Sequence, residues 1–309
     1  MQLTKQEKRR RPIRWALVCM LIPGIIVTLI YSYGPLLGLG IAFQKFNMTK
    51  GLFGSPWVGF KNFEYIFKLP DFTRALVNTL SISSLKIVFG MLTPIIVAIL
   101  LNEMRNLAYK RIVQTFIYLP YFVSWVIVSG IMGDLLLPST GAVNAIVKAF
   151  GFEPIFFLAD PNYFVGTLIV VEVWKGFGFG TILYLAAITG IDLNLYEAAS
   201  IDGANRFQRM LHITLPGLVP IIILNGTMAL GSVLNAGFDQ IVNMYSPLVY
   251  QVGDILDTLV YRVGIIGDRA SMPRYEIATA MGLFKSVVSF ILISTAYWSA
   301  HKFADHSIF

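Results

Sequence analysis

Residues 191–217 read IDLNLYEAASIDGANRFQRMLHITLPG, a polar stretch between two apolar runs at about 163–189 and 216–242. Its pattern is more regular than a connector needs. Glu197, Ala198 and Ala199 are followed after three residues by Gly203, after nine more by Ile213, and then by Leu215 and Pro216. Ala198 and Ala199 are small helix formers that let a short helix sit deep in a groove. Gly203 after Asp202 permits a turn at positive φ. Pro216 suits the first turn of the helix that follows, where its missing N–H costs nothing.

Outward from this stretch the chain is dominated by apolar runs. Its 309 residues are 56% hydrophobic and 13% charged, with a mean hydropathy of +0.69, against about 45–50% and about 25% in soluble domains. Six runs at about 15–40, 75–101, 112–136, 163–189, 216–242 and 277–300 are long enough to cross a bilayer. Solid runs without alternation predict helices, because an open sheet leaves its backbone groups unpaired in lipid. The expected fold class is therefore an all-α membrane protein with six transmembrane helices. Disorder, collagen and small disulfide scaffolds are excluded. The single Cys19 cannot form an intrachain disulfide, and no His/Cys cluster has metal-ligand spacing.

The net charge of +7 would suggest nucleic acid in a soluble protein. Its placement argues otherwise. Lys5, Lys8, Arg9, Arg10, Arg11 and Arg14 stand directly before the first apolar run, which is longer than a signal-peptide core and lacks a small-residue cleavage site. With the N-terminus inside, the inner segments hold twelve Lys/Arg against six Asp/Glu, and the outer segments nine against eight. An even number of spans then puts both termini in the cytoplasm. The expected organisation is a basic N-terminus at 1–14, a six-helix domain at 15–300 with a cytoplasmic loop at 191–215, and a C-terminal tail at 301–309.

The outer stretches, at about 41–74, 137–162 and 243–276, are longer than turns require and carry Phe60, Phe63, Tyr65, Phe67, Phe150 and Phe152. Within them STGAVNAIVKAFG, 139–151, reads as an amphipathic helix ending at Gly151. Two readings stand: packing on the rim of the bundle, or a docking surface for an external partner.

Ionisable residues within spans mark pathways or paired structural sites. Glu172 and Lys175 fall three apart on one helix, suiting either a local ion pair or a pathway. Lys86 and Lys285 have no assignable partner in the sequence. Asn225, Ser232, Asn235 and Asp239 project to one face of a continuous helix, as a water-facing wall or as polar glue between helices. Gly176, Gly178 and Gly180 interleave with Trp174, Phe177, Phe179 and Tyr184, where aromatic faces could stack on sugar rings.

The 191–217 pattern resembles the cytoplasmic EAA loop of the membrane-spanning permeases of bacterial binding-protein-dependent ABC importers: EAA, three residues, G, nine residues, I, any residue, LP. Every fixed position is matched. GFKNFEYIF at 59–67, ALVNTL at 75–80, AILLNEMRN at 98–106, TFIYLPYFVSWV at 115–126 and VEVWKGFGFGTILYLAAITGI at 171–191 are similar to the carbohydrate branch of that family.

The resemblance implies a type I ABC importer permease-like bundle in the bacterial inner membrane, importing an oligosaccharide by alternating access with no catalytic residues and no cofactor of its own. It implies as partners a second homologous permease, two ATPase subunits that bind ATP and Mg, and an extracytoplasmic solute-binding protein. No GxxxxGK with a following Ser or Thr occurs in the chain, so ATP is expected to be bound elsewhere. Coupling to the ATPase is carried over to Glu197, Ala198, Ala199, Asp202, Gly203, Leu215 and Pro216. A substrate pathway is expected near Glu172, Trp174, Lys175, Tyr184, Ser232, Asn235, Phe238 and Asp239. The intramembrane lysines suit an anionic, uronate-containing saccharide, or else snorkel or meet acids on a partner subunit. The alternative reading is an ion-gradient-driven secondary carrier, against which the absence of a convincing internal repeat counts.

Overall fold

The structure is a computed structural model that describes residues 15–267 and 272–303. The N-terminal basic cluster, the end of the C-terminal tail and His306 lie outside the described residues. Among the described residues, five helices are long and apolar enough to cross a membrane: α1 (Val18–Phe43), α2 (Pro70–Asn102), α6 (Pro161–Thr189), α8 (Arg206–Gly231) and α10 (Tyr275–Trp298). Between α2 and α6 come α3 (Leu107–Phe122) and α4 (Trp125–Leu135), which meet the same test together but are bent by 104°. A short outer helix, α5 (Ala142–Ala149), follows. The helix of the 191–217 loop is α7 (Leu193–Ile201), and α9 (Phe238–Met244) follows α8 after a break. No strand occurs among the described residues beyond an isolated bridge, Gln44 to Trp57.

Two of the expected spans are corrected. The run at 112–136 is not one straight helix, because Pro120 and the Ser124 cap stop and restart it. The run at 216–242 is displaced: its helical path begins at Arg206, passes a π turn at Met210–Thr214 and ends at Gly231. Pro216 therefore follows a wide turn inside a continuing helix, where the extra residue relieves the clash and missing bond that proline imposes on an α ladder. The same break corrects the polar stripe. Ser232–Gly237 is not helical and Gly237 adopts φ +88°, so Asn225, Ser232, Asn235 and Asp239 do not share one helix face. Gly, Ser and Asn are poor helix formers, and apolar Val233, Leu234 and Ala236 hid their effect.

The centre of the bundle is α2 against α6. Glycines set the closeness of approach: a Cβ at Gly180 would lie 3.0 Å from the Pro94 ring, and one at Gly178 only 1.9 Å from the Ile117 carbonyl oxygen of α3. Apolar cores sit at three levels. Ile66, Phe72, Leu256 and Ile277 form one, Ile82, Phe164, Leu168 and Ile241 the middle one, and Ile95, Tyr184, Ile188 and Leu218 the third. Outward-facing surfaces remain apolar, as on α1 at Met20, Leu21 and Tyr31, which suits a hydrocarbon solvent.

The outer stretches fold on polar anchors. Buried Asn62 donates to the Ala42 and Gln44 carbonyls, at 2.8 and 2.9 Å. Asn144 of α5 donates to the carbonyls of Leu136, Leu137 and Ile155 and accepts from the Ile155 N–H. Gly151 ends this segment at φ +83°, and Phe150 and Phe152 remain exposed.

In the last outer stretch, Arg262 donates to Asp254 at 2.7 Å, Thr258 donates to the same carboxylate at 2.8 Å, and the guanidinium lies 4.4 Å from the Tyr250 ring centre. Burial pushes the Asp254 carboxyl up from its ordinary value, opposed by the Arg262 guanidinium and the Thr258 hydrogen bond. Arg262→Met strands this buried acid and is expected to cost about 3–5 kcal/mol, while the double variant with Asp254→Leu recovers most of the loss. Thermal unfolding of the detergent-solubilised protein checks it. Equal melting temperatures for the single and double variants would contradict the pairing.

Candidate functional site: an exposed loop helix joined to a central cavity

Helix α7 is capped by Asp192, whose carboxylate accepts from the Asn194 N–H at 3.0 Å. It ends before Gly203, which takes the expected positive φ of +78°. Asn205 and Gln208 then cap the start of α8 reciprocally. Glu197, Ala198 and Asp202 are exposed, Ala199 and Leu215 partly so. Three apolar side chains that the motif does not specify join them: Leu193, Ile201 and Phe207, at 73%, 87% and 66% exposure. Apolar residues within an otherwise polar loop were the signal for them. A short helix showing both polar and apolar groups to water suits insertion into a cleft on another protein.

The loop is tied to the helix that follows it. The Tyr196 hydroxyl meets Thr214 Oγ1 at 2.9 Å, and Arg209 donates to Ser200 Oγ at 2.8 Å. A Cβ at Gly217 would lie 2.6 Å from Ile191 Cδ1, so the two segments meet there as well. Arg206 pairs with Glu103, at the end of α2, across 3.7 Å. From these ties α8 runs without interruption to Gly231, at the edge of a cavity of about 390 Å³. Its walls include Ser83, Lys86, Glu172, Gly176, Ser232 and Asn235. That volume falls in the ~300–1,000 Å³ range of small-molecule sites.

Charge in and around this cavity is partnered in a way the sequence did not show. Lys86 donates to the Ala236 carbonyl at 2.7 Å, to Gln240 Oε1, and to Glu172 Oε2 at 3.2 Å. All three ammonium donors are used. Glu172 and Lys175 therefore do not form the local pair that their spacing allowed. Lys175 donates instead to the Tyr121 carbonyl at 2.9 Å, lying near the Tyr121 and Trp125 rings. Lys285 binds Asp257, with one contact of 2.7 Å. The lysines thus meet acids, carbonyls and rings of their own chain, which removes them as an argument for an anionic cargo.

The remaining expected pathway residues are dispersed. Glu172, Ser232 and Asn235 share the cavity. Trp174 lines a different, apolar groove with Met132, Val143 and Tyr163. Tyr184 is 3% exposed, within the apolar cluster around Leu218. Phe238 packs edge-on against Tyr261, and Asp239 is exposed at the start of α9. Gln240 and Gly237 were not anticipated, although an Asn-Ala-Gly run is a recognisable helix breaker.

The chain is similar over nearly its whole length to known proteins. Protein LplB of Bacillus subtilis is 44% identical over 296 residues, 96% of this chain and 91% of the relative. The polygalacturonan/rhamnogalacturonan transport system permease protein YteP of the same organism is 38% identical, over 99% and 95%. A chain in the crystal structure of a bacterial ABC transporter involved in the import of the acidic polysaccharide alginate superposes with a TM-score of 0.84 at 40% identity, over 94% of this chain and 96% of that one. Residues 90–304 match the family described as the binding-protein-dependent transport system inner membrane component. With this match over more than half its length, and with an exposed loop helix joined to a long apolar helix that ends at an open cavity, the chain belongs to that family.

Proposed function

We propose that this chain is one permease of an ATP-driven importer for an acidic, uronate-containing oligosaccharide, paired with a second, different permease. Two ATPase subunits carry ATP and Mg, and a solute-binding protein delivers the cargo from outside. Both termini lie in the cytoplasm of a multi-pass bacterial inner-membrane protein, the orientation favoured by the basic N-terminus. The observation that carries this reading is the tie between α7 and α8. A cleft that closes on α7 pulls a helix whose other end borders the cavity, so the ATPase and the pathway share one mechanical element.

In this mechanism no covalent chemistry occurs in the chain. ATP-bound and ATP-free partners bind α7 in different positions, and that difference in affinity shifts the bundle between outward-open and inward-open states. Glu197 supplies a polar contact, Ala198 and Ala199 the close-packing surface, and Gly203 the turn that presents them. Support for an acidic cargo comes from the relatives: one solved neighbour holds a periplasmic protein bound to an alginate pentasaccharide, with a TM-score of 0.85 at 38% identity. Within this chain Glu172, Ser232 and Asn235 offer acceptors and donors suited to sugar hydroxyls. A cation that recognises the uronate carboxylate is then to be sought on the second permease.

Gly203→Val forces a β-branched residue to a positive φ, at about 1–2 kcal/mol, and Glu197→Lys reverses the charge offered to the cleft. Each is expected to lower binding-protein-stimulated ATP hydrolysis at least tenfold in the purified complex while the subunit still inserts. Unchanged stimulation would remove the role assigned to α7. Cargo class is read by loading the binding protein with uronate oligomers or with neutral oligosaccharides of equal length. Stimulation and vesicle uptake are expected with the acidic series. Uptake of neutral sugars alone, or uptake that persists without ATP and collapses with an ion gradient, would contradict the proposal.

A further inference from the structure

The cluster around Lys86 ties together three helices where the helical path that began at Arg206 is broken. Second-helix Lys86 reaches across to Glu172 of α6, to the Ala236 carbonyl within the break and to the Gln240 side chain beyond it. Gln240 is fully buried, and its amide continues the link by donating to the Leu168 carbonyl of α6 at 2.7 Å. The bonds that Lys86 makes to the broken helix thus fall at the end of Ser232–Gly237, on Ala236, and beyond it, on Gln240. On the inner side, beyond the exposed Arg206–Glu103 pair at its start, α8 is held to its neighbours by apolar packing. Leu218 sits in the cluster with Ile95 and Tyr184, Gly226 faces the flexible Met91 thioether, and Gly231 faces Ile293. Apolar surfaces slide past one another at little cost, whereas separating a largely buried ammonium from three acceptors, two of them buried, is costly.

We propose that Lys86 is a positioning residue that makes Ser232–Gly237 a hinge: it holds the outer segment of the broken helix to α2 and α6, so that motion entering at the cytoplasmic loop is absorbed at the cavity wall. The proposal rests on the importer reading. The ammonium also replaces the helix as partner of the Ala236 carbonyl, which the break leaves without its ladder bond. Backbone of this kind is tolerated at membrane depth only where protein or a water-filled cavity satisfies it. Gly237 shares in the arrangement. Its φ of +88° turns the chain into α9, and a Cβ there would stand 2.9 Å from Lys86 Nζ. Without the tie, the outer segment follows α8 as one body, and the loop's movement no longer reshapes the cavity.

The test is the ratio of binding-protein-stimulated to basal ATP hydrolysis in the reconstituted complex of both permeases and both ATPases. Lys86→Met is expected to lower that ratio at least fivefold. Lys86→Arg, which keeps charge and donors, is expected to restore at least half of it. Gly237→Ala keeps the lysine and displaces its ammonium, and is expected to lower the ratio as Lys86→Met does. Wild-type ratios in both Lys86→Met and Gly237→Ala would overturn the proposal, as would a fall only in the amount of assembled complex with the ratio per complex unchanged. If Lys86→Met does not assemble, an unchanged ratio in Gly237→Ala overturns it alone. Absence of stimulation in the wild-type complex would instead defeat the importer reading, and this inference with it.

Discussion

One buried ammonium holds the interior of this protein together. In a bilayer core no water is at hand to satisfy a broken helix or an isolated charge, so each must find its partner within the protein. Lys86 answers both needs at once. It satisfies the Ala236 carbonyl left exposed by the break and is itself satisfied by that carbonyl, Gln240 and Glu172. Removing the lysine leaves a carbonyl, an amide oxygen and a carboxylate facing one another. The path of the chain from Gly231 to α9, and so the shape of the cavity wall, depends on it.

The rest of the architecture is arranged around that point. Gly178 and Gly180 let α6 approach α3 and α2 closely enough for side chains of opposite helices to meet. Lys175 fastens the bent α3–α4 pair through the Tyr121 carbonyl, close to where Tyr121 and Phe179 stack at 4.1 Å. At the 191–217 loop the same logic of short ties recurs in Tyr196 with Thr214 and Arg209 with Ser200, but these bonds are exposed or half-exposed. The firm joints are thus deep in the bundle, and the softer ones lie at the loop for which a partner is proposed.

Much of this was legible in the sequence, and what was not has identifiable causes. Apolar run length located most of the membrane-crossing helices to within a few residues, because the hydrocarbon thickness sets the length independently of tertiary contacts. The Asp-Gly turn at 202–203 was readable because a positive φ has a local residue requirement, as was the Gly151 stop. The break at 232–237 was not, since hydropathy passes smoothly through Val233, Leu234 and Ala236 while the backbone does not. The lysine partners were hidden for another reason: Lys86 meets acceptors 86, 150 and 154 positions away, and no local spacing encodes such a contact. Spacing favoured a Glu172–Lys175 pair, and tertiary partners for both displaced it.

Spin-label distances across the transport cycle test most directly whether motion is absorbed at the break. With Cys19 replaced by Ser, labels at exposed Val77 of α2, Met228 of α8 and Asn243 of α9 bracket the hinge. Between the nucleotide-free and ATP-trapped complexes, the Val77–Asn243 distance is expected to stay constant while Met228–Asn243 changes by about 5 Å, the scale of a one-turn slip of one element past another. A constant Met228–Asn243 distance, with Val77–Asn243 changing instead, would show that the outer segment travels with α8 and would contradict the account.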